Sequence, residues 1–194
     1  LSTEGRVMYR SHLGPMLNAP VVGWSSYTAL TYRDANENNL AMATTWLEMN
    51  QASDLASFQA AHERNQGIPW VHTVYADDQG NAYYVDSGVT PNLADGWLDA
   101  WDELVDTNYL VQAFAEAGLY VFDMDNPLFQ WVDDTRAPMS GIIPFEDAPS
   151  VVRRDYVFNA NDNYWLSNAE VPLEHAAPIY GPIETPRSPR TRMN

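Results

Sequence analysis

The chain has 194 residues with ten arginines, no lysine, no cysteine and a formal net charge of −16 at pH 7. That balance excludes a phosphate-tracking nucleic-acid binder, which needs a positive field, and the absent thiols exclude a disulfide framework or thiolate metal site. No apolar run reaches membrane-span length, LSTEGRVMYR lacks the apolar segment of a signal peptide, and the acidic composition suits a highly soluble, exported protein.

Residues 1–32 read as extended structure, punctuated by Gly14-Pro15, Pro20 and Gly23. Asp34 to Met49 reads as a helix with Leu40, Ala43, Trp46 and Leu47 on one side. Ser53 is the expected N-cap of a second helix, SDLASFQAAHERNQG, with Gly67 just past its end. The clearest β signal follows. IPWVHTVYADDQGNAYYVDSG holds alternating strands near Trp70–Ala76 and Asn81–Asp86, joined by a DDQGN turn in which Gly80 supplies the unusual dihedrals. Helical periodicity returns over residues 93–122, through Trp97, Trp101 and Leu104 and then Leu110 and Phe114, and Gly118 ends it. Asp123 to Gly141 is polar and turn-rich, Asp155–Asn159 reads as a strand, and GPIETPRSPRTRMN reads as an extended tail. The order of elements predicts an α+β fold, without internal repeats.

Several chemical signatures are missing: a Gly-rich phosphate loop, a metal-binding His pair with Glu, and a GxSxG elbow. His12, His62, His72 and His175 are scattered and read as ordinary polar or packing residues. Asp123, Asp125, Asp133 and Asp134 could supply the acid and base of a glycosidase, in which case Asp125→Asn would abolish activity. The stronger reading is that these carboxylates bond their own backbone in turns. DDQGN likewise reads as a hairpin turn, although clustered acidic oxygens could hold Ca²⁺. In YVFNANDNYWLSN, asparagine stands at 159, 161, 163 and 168. Its amide offers two N–H donors without charge, which suits holding an oxyanion in acyl transfer. On local chemistry alone, capping of strand and loop backbone is the stronger reading.

Longer segments add to this. In order along nearly the whole chain, five stretches resemble the penicillin-acylase family of N-terminal-nucleophile amidohydrolases. They are YRSHLGPML, the run from ALTYRDANENN to DSGVTPN, GIIPFEDAPSV, NANDNYWLSNAEVPL and TPRSPRTRM. The resemblance is closest to the branch containing aculeacin A acylase and the acyl-homoserine lactone acylases. It implies part of a four-layer αββα sandwich, to which this segment gives antiparallel strands and covering helices. It also implies a precursor that cleaves itself, freeing an N-terminal Ser that attacks an amide carbonyl with its own α-amine, acting through water, as the base.

The family's Asn-x-Asn motif falls on Asn159 and Asn161, which makes Asn161 the side-chain half of the oxyanion hole. The downstream arginine that orients the site falls on Arg190, with Arg192 as the competitor. Trp70, the aromatic of the PWV segment, either lines the acyl pocket or packs in the core. Asn159 and Asn163 are expected to hold the loop backbone, and Asn168 to turn the chain toward Pro172. Pro91 falls where some members give a backbone carbonyl to calcium; its other ligands have no match, so calcium is an option and no other cofactor is expected.

Leu1 is not a nucleophile and Ser2 is not N-terminal. Residues 1–194 are therefore expected to be one internal segment of an acylase large subunit, inactive alone, with residues 93–122 as a helical insertion near the substrate entrance. The implied partners are the other chains of the same processed precursor, in the periplasm or secreted, together with a small acyl amide substrate. Fatty-acyl substrates, homoserine lactones or lipopeptides, are favoured over β-lactams. A penicillin acylase is the alternative within the family, and a non-catalytic acidic binding or scaffold module the alternative outside it.

Overall fold

In the segment RSHLGP the Ser11 hydroxyl accepts the Leu13 N–H at 3.1 Å and the chain reverses at once. The Gly-Pro pair, which punctuates the extended stretch in sequence, therefore opens a second strand. The computed structural model describes residue 5 and residues 7–18 and 23–193. The expectations placed on Leu1, Ser2 and Pro20 lie outside the described residues. In the first of two units, Leu1–Asn39, three short strands form an antiparallel sheet: β1 (Arg10–Ser11), β2 (Gly14–Leu17) and β3 (Leu30–Thr31), with β2 central. Trp24 donates its indole N–H to the Leu17 carbonyl at 2.7 Å and meets Tyr9 edge-on.

The helix expected from Asp34 starts later. The Asp34 carboxylate accepts the Asn36 N–H at 2.8 Å, and Asn38 takes a left-handed φ of 66°. Short polar side chains here offer the backbone turns instead of a helical ladder. In the second unit, Leu40–Asn194, the first helix is α1 (Met42–Gln51). Helix α2 (Leu55–Asn65) is capped by Asp54, not Ser53. The Asp54 carboxylate accepts the Ser57 N–H at 2.7 Å, and the Ser57 hydroxyl accepts the Asp54 N–H at 3.2 Å, a reciprocal box. Gln66, not glycine, takes the left-handed position at its end. Gly67 is needed for close approach instead, since a Cβ there would stand 2.4 Å from the Ala41 carbonyl carbon and 2.6 Å from the Thr45 hydroxyl. Its missing side chain lets the exit of α2 lie against the start of α1, and Glu48 ties the two helices by accepting from Arg64 and Asn65, each at 2.8 Å.

The predicted hairpin forms, with shorter strands. Asp77 accepts the N–H groups of Gln79 at 3.0 Å and Asn81 at 2.9 Å, and Gly80 takes φ +80°. Strand β4 (Thr73–Ala76) pairs antiparallel with β5 (Ala82–Val85) in the register Thr73↔Val85 to Ala76↔Ala82. Trp70 lies outside the strand. On the other side of β5 runs β6 (Ser150–Arg153), with Tyr84 opposite Val151. The strand expected at Asp155–Asn159 is thus found earlier. Asp155 ends it by accepting the Arg153 guanidinium at 2.6 Å and the Tyr156 N–H at 2.7 Å.

Central β5 is buried on both faces, which explains its apolar run without alternation. Tyr83 and Val85 pack on Phe58 of α2 and on Ala148. Tyr84 points the other way, onto Tyr164, Trp165 and Leu166. A helix pair thus covers one face of the sheet and the irregular segment around 157–166 the other. The stretch 93–122 forms α3 (Trp97–Thr107) and α4 (Tyr109–Glu116), separated where the Asn108 side chain caps the Leu110 N–H at 3.0 Å. The tail is not wholly extended, since Ser188 accepts the Thr191 N–H at 3.1 Å and starts a one-turn helix, α5 (Pro189–Met193). The class is α+β, and among the described residues no helix is long and apolar enough to cross a membrane.

Candidate active site

Each asparagine of the NANDN loop makes a different set of bonds. Asn159 accepts the Asn161 N–H through Oδ1 and donates Nδ2 to the Asp162 carbonyl, both at 3.0 Å. This closes a tight turn with Asn161 at φ 66°, a conformation that asparagine tolerates better than most residues. The turn stands in irregular chain, not at the end of a strand as the sequence suggested. Asn163 donates to the Pro182 carbonyl. Asn168 is fully buried, donates to the Tyr156 carbonyl at 2.8 Å, and accepts the N–H groups of Glu170 at 2.9 Å and Val171 at 3.1 Å. It turns the chain toward Pro172.

The structure brings two of the predicted site residues together. Arg190 Nη1 donates to Asn161 Oδ1 at 2.9 Å. A guanidinium only donates, so it fixes which end of the amide it meets. With Oδ1 held, the trigonal amide turns Nδ2 and its two N–H donors to the opposite side. An oxyanion-hole donor needs this orientation, because a flipped amide would present an oxygen to developing negative charge. The contact is made by Arg190 and not by Arg192, whose backbone N–H bonds Ser188 within the same turn.

Trp70 is 75% exposed, with φ 51°. Trp70 is thus not packed in the core of the described residues, and among them no bond or ring contact joins it to the Asn161–Arg190 pair. Pro91 lies opposite Ile142 in an isolated bridge. Among the described residues no group of three or more His, Asp or Glu is placed to hold a metal ion.

One polar cluster was missed from the sequence. His72 Nδ1 lies 2.8 Å from the Tyr84 hydroxyl and 3.5 Å from Asp86 Oδ2. Burial pushes the Asp86 carboxyl up, against the opposing pull of the imidazole. Extending the ladder one step past Thr73↔Val85 places His72 opposite Asp86, and that register was the signal that could have found it.

Of the four glycosidase candidates, Asp123 and Asp134 bond the backbone of their own turns. Asp123 accepts the Asp125 N–H at 3.1 Å, Ser140 donates to Asp133, and Asp134 accepts the Arg136 N–H at 2.9 Å. Arg136 also grips Asp134 and Asp147, each at 2.7 Å, and its hydrogen bonds hold the Asp134 carboxyl below the usual range. A cleft of about 660 Å³ opens beside these ion pairs, lined by Arg136, Pro144, Leu173 and His175 among others. Neither Asn161, Arg190 nor Trp70 lines it.

The penicillin amidase family model matches residues 2–194, and the chain belongs to that family. Among its relatives, the acyl-homoserine lactone acylase PvdQ of Pseudomonas putida is 34% identical over 194 residues, covering 100% of this chain and 24% of the relative. PvdQ of Pseudomonas fluorescens is 32% identical over the same coverage. Aculeacin-A acylase of Actinoplanes utahensis is 32% identical over 189 residues, 97% of this chain and 24% of that protein. The chain thus spans about a quarter of the length of the curated relatives it matches.

Proposed function

We propose that this chain forms part of an amidohydrolase that cleaves an acyl chain from an amide, with an N-acyl-homoserine lactone or an acylated lipopeptide as substrate. The nucleophile is an N-terminal Ser outside the chain, freed by self-cleavage, with its own α-amine as base. Its oxygen adds to the amide carbonyl, and the charge that develops on the carbonyl oxygen is met by Asn161 Nδ2–H. Arg190 keeps that amide from flipping. Collapse of the adduct expels the amine and leaves an acyl-enzyme, which water hydrolyses to the acid. The observation that carries this reading is the Arg190–Asn161 hydrogen bond at 2.9 Å, because it leaves the amide's donor end free for an oxyanion. Exposed indole at Trp70 is available to an alkyl chain, which aromatic surface buries well.

Family membership supports placing the β4–β5–β6 sheet and its helices in a four-layer αββα sandwich, with residues 1–194 as one segment of the large subunit. The insertion 93–122 then flanks the substrate entrance, and other chains of the same exported precursor, periplasmic or secreted, complete the enzyme. The names of the relatives favour fatty-acyl substrates over β-lactams. The test is hydrolysis of N-decanoyl-homoserine lactone by the purified complete enzyme, with its chains weighed by intact mass. Decanoic acid and homoserine lactone should appear as separate products, from an enzyme of more than one chain. A single product that has only gained water across the lactone ring, or no release of an acyl chain from either N-decanoyl-homoserine lactone or an acylated lipopeptide by correctly processed enzyme, would overturn the reading.

A further inference from the structure

We propose that Thr191 is a positioning residue for Asn161, acting through the Asp162 carboxylate; this rests on the reading of Asn161 given above. Two consecutive residues of α5 grip two consecutive residues of the loop. Arg190 bonds the Asn161 side chain at 2.9 Å, and the Thr191 hydroxyl donates to Asp162 Oδ2. The two grips differ in kind. Arg190 and Asn161 are both exposed, so their bond competes with water and is weak alone. Thr191 is only 6% exposed, and its bond goes to a charged acceptor, a type roughly twice as strong as a neutral pair.

The hydrogen bonds also have a fixed direction. A carboxylate only accepts, so the Thr191 proton points to Asp162. The Thr191 oxygen is then free to accept from the Ser188 hydroxyl 2.7 Å away, while that hydroxyl accepts the Thr191 N–H at 3.1 Å. On the loop side the Asp162 carbonyl accepts Asn159 Nδ2, and Asn159 Oδ1 holds the Asn161 N–H. Asp162 therefore joins the turn that sets the Asn161 backbone to the helix that sets the Asn161 amide. Without the Thr191 hydroxyl, α5 loses its buried attachment, and Arg190 no longer arrives where it selects the amide's orientation. Misplacement of a reacting group by about 1 Å can cost on the order of a hundredfold in rate.

The experiment measures kcat and KM of the complete enzyme on N-decanoyl-homoserine lactone for Thr191→Val, Thr191→Ser and Asn161→Ala, and for Thr191→Val combined with Asn161→Ala. Thr191→Val keeps the shape and deletes the hydroxyl. It should lower kcat by about ten- to a hundredfold with little change in KM, and Thr191→Ser should restore most of the loss. On the Asn161→Ala background, Thr191→Val should have no further effect on kcat, because its action runs through the missing amide. Wild-type kcat in Thr191→Val, or the same fold loss with and without Asn161, would overturn the proposal. If Thr191→Val does not fold, Asp162→Asn is measured on the same two backgrounds, where the same outcomes support or overturn the proposal. Normal turnover in Asn161→Ala would bring down both readings and identify the first as the cause.

Discussion

At Trp70 the backbone holds a left-handed φ of 51° while the indole stands 75% exposed. A bulky residue rarely adopts that conformation, and the strain persists only where surroundings impose it. Within the described residues, core packing does not account for it. For an enzyme that acts on acyl chains, Trp70→Leu should shift the preferred chain length, since each methylene in an apolar pocket is worth about 1–3 kcal/mol. Comparison of kcat/KM across a series of acyl-homoserine lactones reads this, and an unchanged series would remove Trp70 from the acyl pocket. The asparagine motif was legible only through the family resemblance, since on local chemistry alone backbone capping is the stronger reading, and Asn159, Asn163 and Asn168 do bond backbone. The choice between Arg190 and Arg192 was not legible. In an extended tail, residues two apart point the same way, whereas in a helix they diverge. Only the turn begun by Ser188 sends Arg190 toward Asn161.

Between elements, the joint of α2 with the chain leaving β5 rests on His62. Its ring is fully buried, with Nδ1 2.9 Å from the Ser87 hydroxyl and the ring close to Phe58 and Phe145. Burial lowers its pKa from 6.5 to about 4. Between those values the unfolded chain binds a proton that the folded chain refuses. The contribution of His62 is thus fully present above pH 6.5 and declines as pH falls to about 4, by on the order of 3 kcal/mol. Urea unfolding of the complete protein should show this slope, and His62→Phe should lack it. An identical slope in the variant would contradict the assignment. The hairpin at this scale was readable from Asp77 and Gly80, whose turn chemistry is local. The third strand was misplaced because 150–153 and 155–159 are both short and apolar. Asp155, which bonds Arg153 and Tyr156, decides between them, and its carboxylate lies well below the usual range because of the Arg153 guanidinium first and the Tyr156 N–H second.

For the whole molecule, the α+β class followed from strand and helix periodicity, but the sequence pattern did not separate the units Leu1–Asn39 and Leu40–Asn194. Their boundary directly follows the polar turns at Asp34–Asn39, where a helix had been expected. In the second unit the outer strands β4 and β6 are unpaired on one side among the described residues, and Val74 and Val152 on them are 56% and 45% exposed. Such edges call for cover, in keeping with a chain that spans 24% of the length of its relatives. The proposed reaction depends above all on the hydrogen bond that Asn161 gives to the oxyanion of amide hydrolysis. Steady-state kinetics of Asn161→Ala in the complete enzyme on N-decanoyl-homoserine lactone probe that bond without intermediaries. The donor is needed mainly when the carbonyl oxygen becomes negative, so kcat should fall by about 10²–10³ while KM moves far less. Near-normal kcat in a correctly folded and processed Asn161→Ala enzyme would contradict that role for Asn161.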